Sequence, residues 1–173
     1  YKEPADAARR VGAELLINLN ASPFHRGKHK ERWQVLADRA TEQSIPMIYV
    51  NQVGGQDELV FDGGSFAVNA DGELAMVAPD FEEGCFDLSV ERTVRGVEIA
   101  QGVAATALSD VAAVWQALVL GVRDYVEKNG FPGVVLGLSG GIDSAVTLAV
   151  AVDALGADRV QAVRMPFKYT ADM

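Results

Sequence analysis

The sequence has 173 residues, 49% of them hydrophobic and 23% charged, a balance that excludes a disordered chain and leaves room for a buried core. A formal charge of -9 disfavours nucleic acid as a general partner, because a phosphate backbone is held by clustered Lys and Arg. Cys85 is the only cysteine, so an intrachain disulfide and a cysteine-rich metal site are excluded, which fits a reducing compartment, the cytoplasm.

The opening stretch YKEPADAARRVGAE has neither an initiator Met nor the basic-then-apolar layout of a signal peptide. Apolar runs such as Ala145 to Val152 fall short of the roughly 20 residues a membrane-spanning helix needs, so no membrane partner is expected. Residues 4–12 read as the end of a helix, and Glu14 to Asn20, ELLINLN, as a short buried strand. After the loop ASPFHRGK, Lys28 to Gln43 carries apolar residues at helical spacing at Trp33, Leu36, Ala37 and Ala40. Pro46 then opens a second apolar strand, MIYVNQV, which completes a strand-helix-strand unit. Asp62-Gly63-Gly64 turns the chain into FAVN, and Asp71-Gly72 separates FAVN from ELAMVA as a hairpin. Alternation of Phe86, Leu88 and Val90 predicts a further strand from Cys85 to Val90.

Glu91 to Ser109 has no sustained period and contains Gly96 and Gly102, which reads as an interdomain linker. Val111, Val114, Trp115, Leu118, Val119, Val122 and Val126 follow helical spacing up to Asn129-Gly130, with Pro132 just beyond. A second α/β unit follows: strand VVLGL, a glycine turn, a helix from Ile142 to Leu155, and strand RVQAVRM. Two strands flanking one helix predict a parallel pair with a right-handed crossover. The whole pattern is α/β, without internal repeats.

The glycine turn is the most informative segment. Ser139-Gly140-Gly141-Ile142-Asp143-Ser144 lies between a strand and a helix, where a helix N-terminus offers unpaired N–H groups and partial positive charge to an anion. Gly140 and Gly141 permit close approach, and Ser139 and Ser144 offer hydroxyls to phosphate oxygens. Asp143 beside a polyphosphate makes sense when carboxylate and phosphate share Mg²⁺, so magnesium is expected there. The loop lacks the Walker A ending GK[ST] and the dinucleotide pattern G-x-G-x-x-G. A tight turn in which Ser or Asp merely caps the helix is the plain alternative.

SGGIDS resembles the SGGxDS loop of the PP-loop ATP pyrophosphatases, which cleave ATP between the α and β phosphates and adenylate a substrate oxygen. The surrounding text, LVLGVRDYVEKNGFPGVVLGLSGGIDSAVTLAVAVDALGADRVQAVRMP, is similar to the synthetase domain of NAD synthetases. The family continues with a stretch like MPSxYTS, whereas this chain has Met165-Pro166-Phe167-Lys168-Tyr169-Thr170-Ala171, so no role carries over to Phe167, Lys168 or Ala171. Upstream, LLINLNASPFHRGKHKER, from Leu15 to Arg32, resembles the later part of a nitrilase-like glutaminase domain, in the fusion order of the glutamine-dependent NAD synthetases.

That resemblance implies a fold: the C-terminal portion of a nitrilase-like αββα sandwich over residues 1–91, a linker over 92–109, and over 110–173 the first portion of a Rossmann-like, parallel-sheet PP-loop domain of the adenine nucleotide alpha hydrolase type. It implies a carbon–nitrogen ligase that amidates deamido-NAD to NAD through an adenylated intermediate. ATP and glutamine or ammonia are consumed, and AMP and pyrophosphate are released. Gly137, Leu138, Ser139, Gly140, Gly141, Ile142, Asp143 and Ser144 would bind ATP, with Asp143 on Mg²⁺. Ser22 and Lys28 match family positions that hold glutamine; by pattern alone they could equally stabilise the ASPF turn and start a solvated helix face. The Glu-Lys-Cys triad of the glutaminase would precede Tyr1, so no catalytic residue is expected in this segment and Cys85 inherits no role. The chain is therefore expected to be a segment of a longer polypeptide, inactive by itself, from a homo-oligomeric enzyme whose contacts to deamido-NAD lie after Met173.

Other candidates read plainly. His25 and His29 have i,i+4 spacing without a third ligand and read as surface histidines. Cys85 reads as a buried apolar residue, Asp80, Glu82 and Glu83 as a solvated loop, and Trp33 and Trp115 as core. The rival functions are another PP-loop amidoligase, a nitrilase-like amidase, and an inactive interaction scaffold.

Overall fold

A computed structural model describes residues 4–100 and 102–165. They divide into two units, the first running to Val53 and resuming over Phe61–Ala113, the second made of Gly54–Val60 and the chain from Val114 onward.

In the first unit, helix α1 (Pro4–Arg10) precedes strand β1 (Leu16–Asn20), helix α2 (Lys28–Gln43) and strand β2 (Met47–Asn51). β1 and β2 are parallel, with Leu16 opposite Met47 and Asn20 opposite Asn51, which is possible because α2 supplies the crossover. The predicted helix and the strand-helix-strand unit are thus present. α2 ends where Ser44 adopts a left-handed φ of 53° and donates its N–H back to Ala40 and Thr41. The N–H of Ile45 reaches the Ala40 carbonyl at 3.1 Å, and its side chain is buried, the apolar contact that accompanies such helix ends.

Strands β3 (Val53–Gln56) and β4 (Leu59–Asp62) form a hairpin turned at Asp57, whose φ is 50°. The sequence pattern ended the strand MIYVNQV at Val53 and assigned no element to residues 54–61. β5 (Phe66–Val68) and β6 (Leu74–Val77) form the predicted hairpin around Asp71-Gly72. β5 pairs antiparallel with β2, giving the sheet order β1-β2-β5-β6. One face of this sheet packs on α2: Leu36 and Ala40 meet Met47, Tyr49, Phe66 and Val68, with Tyr49 and Phe66 stacked at 5.1 Å. On the other face Ala67, Met76, Ala78 and Ile99 cluster, joined by Phe86 and Leu88.

Several expectations need correction. Cys85 to Ser89 makes no ladder; the strand there is β7 (Val90–Thr93), which pairs antiparallel with β8 (Gly96–Ile99) inside the segment that lacked periodicity. Phe86 and Leu88 do alternate inward, so the pattern recorded burial rather than strand pairing. Cys85 is exposed, not buried. β1 was expected to be buried, yet Ile17 and Leu19 are 62% and 76% exposed. Trp33 is 40% exposed rather than core.

The second unit contains α3 (Asp110–Lys128), β9 (Val134–Leu138), α4 (Ile142–Leu155), a single 3-10 turn (Ala157–Arg159) and β10 (Val160–Arg164). β9 and β10 are parallel, Val134 opposite Val160 and Leu138 opposite Arg164, as expected. Val119 and Val126 of α3 pack against Val150, Ala154 and Leu155 of α4, with Trp115 partly buried at the edge. Gly130 ends α3 with a φ of 69°, and the Phe131 N–H bonds the Val126 carbonyl at 2.9 Å. The hairpin tip also belongs here: the Gly55 N–H donates to the Asp124 carboxylate at 2.7 Å, and Lys128 Nζ donates to the Gly55 carbonyl at 2.6 Å. A Cβ at Gly55 would lie 3.1 Å from Asp124 Cβ and 3.2 Å from Gly121 Cα, so only glycine lets the tip approach α3 this closely. Among the described residues, no helix is long and apolar enough to cross a membrane.

Candidate functional site

Two loops carry the residues singled out in the sequence, one in each unit. In the second unit, β9 delivers Gly137 and Leu138 to the loop, and Gly140 turns it with a φ of 84°. Gly141 is the N-cap of α4 in extended conformation and provides no side-chain cap. The N–H groups of the first turn, Ile142, Asp143 and Ser144, therefore start a helix whose positive end is not covered by its own capping group. The two serines meet here: Ser139 Oγ and Ser144 Oγ are 3.3 Å apart, and Ser144 Oγ donates to the Gly141 carbonyl at 2.8 Å. Both hydroxyls, the loop amides and the Asp143 carboxylate are solvent-exposed or half-exposed. Chemically, the arrangement offers backbone N–H groups and two hydroxyls at a helix start, the kind of donor an anion takes, with a carboxylate in the first turn. Of the residues expected to bind ATP, Gly137 and Leu138 end β9, Ser139, Gly140 and Gly141 form the turn, and Ile142, Asp143 and Ser144 make the first turn of α4.

No group of three or more His, Cys, Asp or Glu side chains among the described residues could hold a metal. Asp143 and the neighbouring hydroxyls are oxygen donors of the kind Mg²⁺ takes, too few to bind it without oxygens from a phosphate. The donor set thus fits an ion that arrives with a nucleotide. Pro166 to Ala171 lie outside the described residues.

In the first unit, the loop from Ala21 to Gly27 follows β1, and Gly27, with a φ of 78°, leads into α2. Ser22 is held on every side. Its N–H donates to Asn51 Oδ1 at 2.9 Å, and its carbonyl accepts from Asn51 Nδ2 at 3.2 Å and Arg32 Nη2 at 2.7 Å. Arg32 Nε donates to Ser22 Oγ at 3.1 Å, and Nη1 reaches both oxygens of Asp62 at 2.8 Å. Arg32, Asn51 and Asp62 are buried, with 6%, 5% and 3% exposure. Burial pushes the Asp62 carboxyl above the usual carboxylate range, while the Arg32 guanidinium pulls against that shift. Lys28 stands at the first turn of α2, half-buried, with its ammonium 3.1 Å from Glu31; no hydrogen bond joins it to Ser22.

Sequence reasoning missed Arg32, Asn51 and Asp62. One signal was available: Arg32, Leu36 and Ala40 share the buried stripe of α2, and a cation on an apolar stripe demands an acidic partner. His29 also differs from its reading as a surface residue. Its ring is half-buried, with Nδ1 3.5 Å from Asp80 Oδ1, and that oxygen is buried without a hydrogen-bond partner. Both line a cavity of about 330 Å³ with Phe24, Trp33 and Phe81. Asp80 is therefore not part of a solvated loop. His25 is exposed.

Two protein families match the chain, one over each part. The carbon-nitrogen hydrolase family matches residues 1–104, and the NAD synthase family matches residues 114–173. A protein of Acinetobacter baylyi named glutamine-dependent NAD(+) synthetase is 47% identical over 168 residues, 95% of this chain and 30% of its own length. One of the same name from Xylella fastidiosa (strain 9a5c) is 49% identical over 173 residues, covering all of this chain and 32% of itself. The chain thus spans about a third of the length of these curated relatives. Among solved structures, the glutamine-dependent NAD+ synthetase of Acinetobacter baumannii in complex with ADP superposes with a TM-score of 0.88 at 48% identity, covering 96% of this chain and 31% of that one.

Proposed function

Because this chain belongs to the carbon-nitrogen hydrolase family and carries an NAD synthase segment behind it, we propose that it works within a glutamine-dependent NAD synthetase. The observation that carries this reading is the uncapped start of α4 behind a parallel strand, reached through Gly140 at a φ of 84°, in the same chain as a nitrilase-like unit.

In the proposed reaction the nicotinate carboxylate of deamido-NAD attacks the α phosphorus of ATP and pyrophosphate departs. Ammonia released from glutamine then attacks the acyl adenylate, forming the amide and expelling AMP. Adenylation is needed because a carboxylate oxygen is a poor leaving group, whereas AMP is a good one. Gly137 to Ser144 hold the polyphosphate: loop and first-turn amides face the departing pyrophosphate, where charge builds up during the step. Asp143 would hold Mg²⁺ together with phosphate oxygens. The ion supplies neutralisation of the charge that develops on those oxygens. Ser22 and Lys28 bind glutamine, the hydroxyl and the ammonium matching a small amino acid. The enzyme acts in the cytoplasm as a homo-oligomer.

The test is AMP and NAD formation by the full-length protein with ATP, Mg²⁺ and deamido-NAD, using glutamine or ammonia. Activity with both donors is expected. Failure with both would overturn the reading, and glutamine hydrolysis without AMP would leave a nitrilase-like amidase.

A further inference from the structure

We propose that Arg32 is a positioning residue for glutamine, one that fixes the Ser22 hydroxyl as a hydrogen-bond donor to the substrate's α-carboxylate. This inference rests on the glutamine reading of Ser22. A guanidinium has donors and no acceptor, so at the 3.1 Å contact between Arg32 Nε and Ser22 Oγ the serine oxygen must accept. Its proton therefore points away from Arg32, and among the described residues no protein acceptor receives it. A hydroxyl that accepts from a cation is also a stronger donor. Such a group selects an acceptor, which the α-carboxylate of an amino acid offers and its α-ammonium does not.

The rest of the network removes the freedom that would blur this choice. Arg32 Nη2 holds the carbonyls of Ser22 and Pro23 at 2.7 and 3.0 Å, and Asn51 grips the Ser22 N–H and carbonyl. Asp62 accepts two bonds of 2.8 Å from Nη1 with its two oxygens, which anchors the far end of the guanidinium and neutralises its charge. A lysine could satisfy Asp62 but could not reach both carbonyls and the hydroxyl from one rigid plane.

The test uses the full-length enzyme with glutamine, taking the ammonia-driven reaction, which bypasses this loop, as internal reference. Arg32→Lys is expected to raise the KM for glutamine roughly tenfold or more, with the ammonia-driven rate unchanged. Ser22→Ala should do the same, and the double variant should be no worse than the worse single one, because Arg32 acts through the Ser22 hydroxyl. Multiplicative losses in the double variant would overturn the proposal. So would a normal glutamine KM in Arg32→Lys when Ser22→Ala raises it, and in that case the glutamine reading survives. A normal KM in Ser22→Ala would overturn both. If Arg32→Lys does not fold, two analogues decide with Ser22→Ala. Turnover of 4-carbamoylbutanoate, which keeps the carboxylate, should fall, and turnover of 4-aminobutanamide, which has no acceptor in its place, should not. The reverse pattern would overturn the donor assignment.

Discussion

Replacing Asp62 by Asn should destabilise the protein far more than any exposed ion pair could. The side chains of Arg32 and Asp62 are 4% and 5% exposed, so the asparagine variant leaves a guanidinium out of water without its counter-ion. Asn offers one acceptor oxygen in place of two and turns an NH₂ toward Nη1, which accepts nothing. Removing one partner of a buried pair costs about 3–5 kcal/mol, equivalent to roughly 6–20 °C in melting temperature for a chain of this length. By contrast Lys28–Glu31, with side chains 32% and 59% exposed, falls among pairs worth about 0–1 kcal/mol. Glu31→Gln is the matched control. Urea unfolding of the full-length protein, read at unchanged slope, gives both values. The double variant Arg32→Met/Asp62→Leu should lose less than Asp62→Asn, because it removes the stranded charge together with the desolvation that pushes the Asp62 carboxyl upward. A loss below about 1 kcal/mol for Asp62→Asn would refute the view that this pair is a closed, water-excluded contact.

Asp143→Ala should abolish NAD formation with glutamine and with ammonia alike, measured by AMP release; retention with ammonia would remove Asp143 from the nucleotide site. Gly140→Ala should cost about 1–2 kcal/mol in stability, since an L-residue is forced to a φ of 84°, and should raise the KM for ATP, which steady-state kinetics would read. The Arg92 guanidinium, bonded at 2.6 and 2.7 Å, holds the Glu14 carboxyl below its usual range. A folded value lower than the unfolded one, about 4.3, means that the contribution is present above that pH and disappears as pH falls through the folded value. Glu14→Gln should therefore match the parent at low pH and fall slightly behind above pH about 4.3, a gap that closes in high salt; urea midpoints across pH would measure it.

Local chemistry explains which features were legible in the sequence. Lys28 to Gln43, the Asp71-Gly72 hairpin and the SGGIDS loop each announce themselves through spacing or through residues that a turn or an anion requires. β3 was not legible because ladder bonds use the backbone and ask nothing of side chains; its two glycines serve close approach to α3, which no local pattern records. Arg32 was passed over for the opposite reason, since its side chain looks solvated until Asp62, thirty positions later, is placed beside it. Cys85 and Trp33 had apolar character without burial, and β1 shows the same for Ile17 and Leu19. Composition states what a residue tolerates, while exposure depends on what the chain brings against it.

The interrupted course of the first unit bears on any attempt to dissect the protein. The polypeptide leaves that unit after Val53, returns at Phe61 and leaves again after Ala113, so no single scission of the backbone separates the two units. A fragment ending at Ala113 would keep Gly54–Val60 and lose Asp124 and Lys128, stranding the Gly55 amide and carbonyl that those side chains satisfy. Limited proteolysis or gene splitting at the obvious boundary would thus injure a hairpin more than fifty residues upstream of the cut.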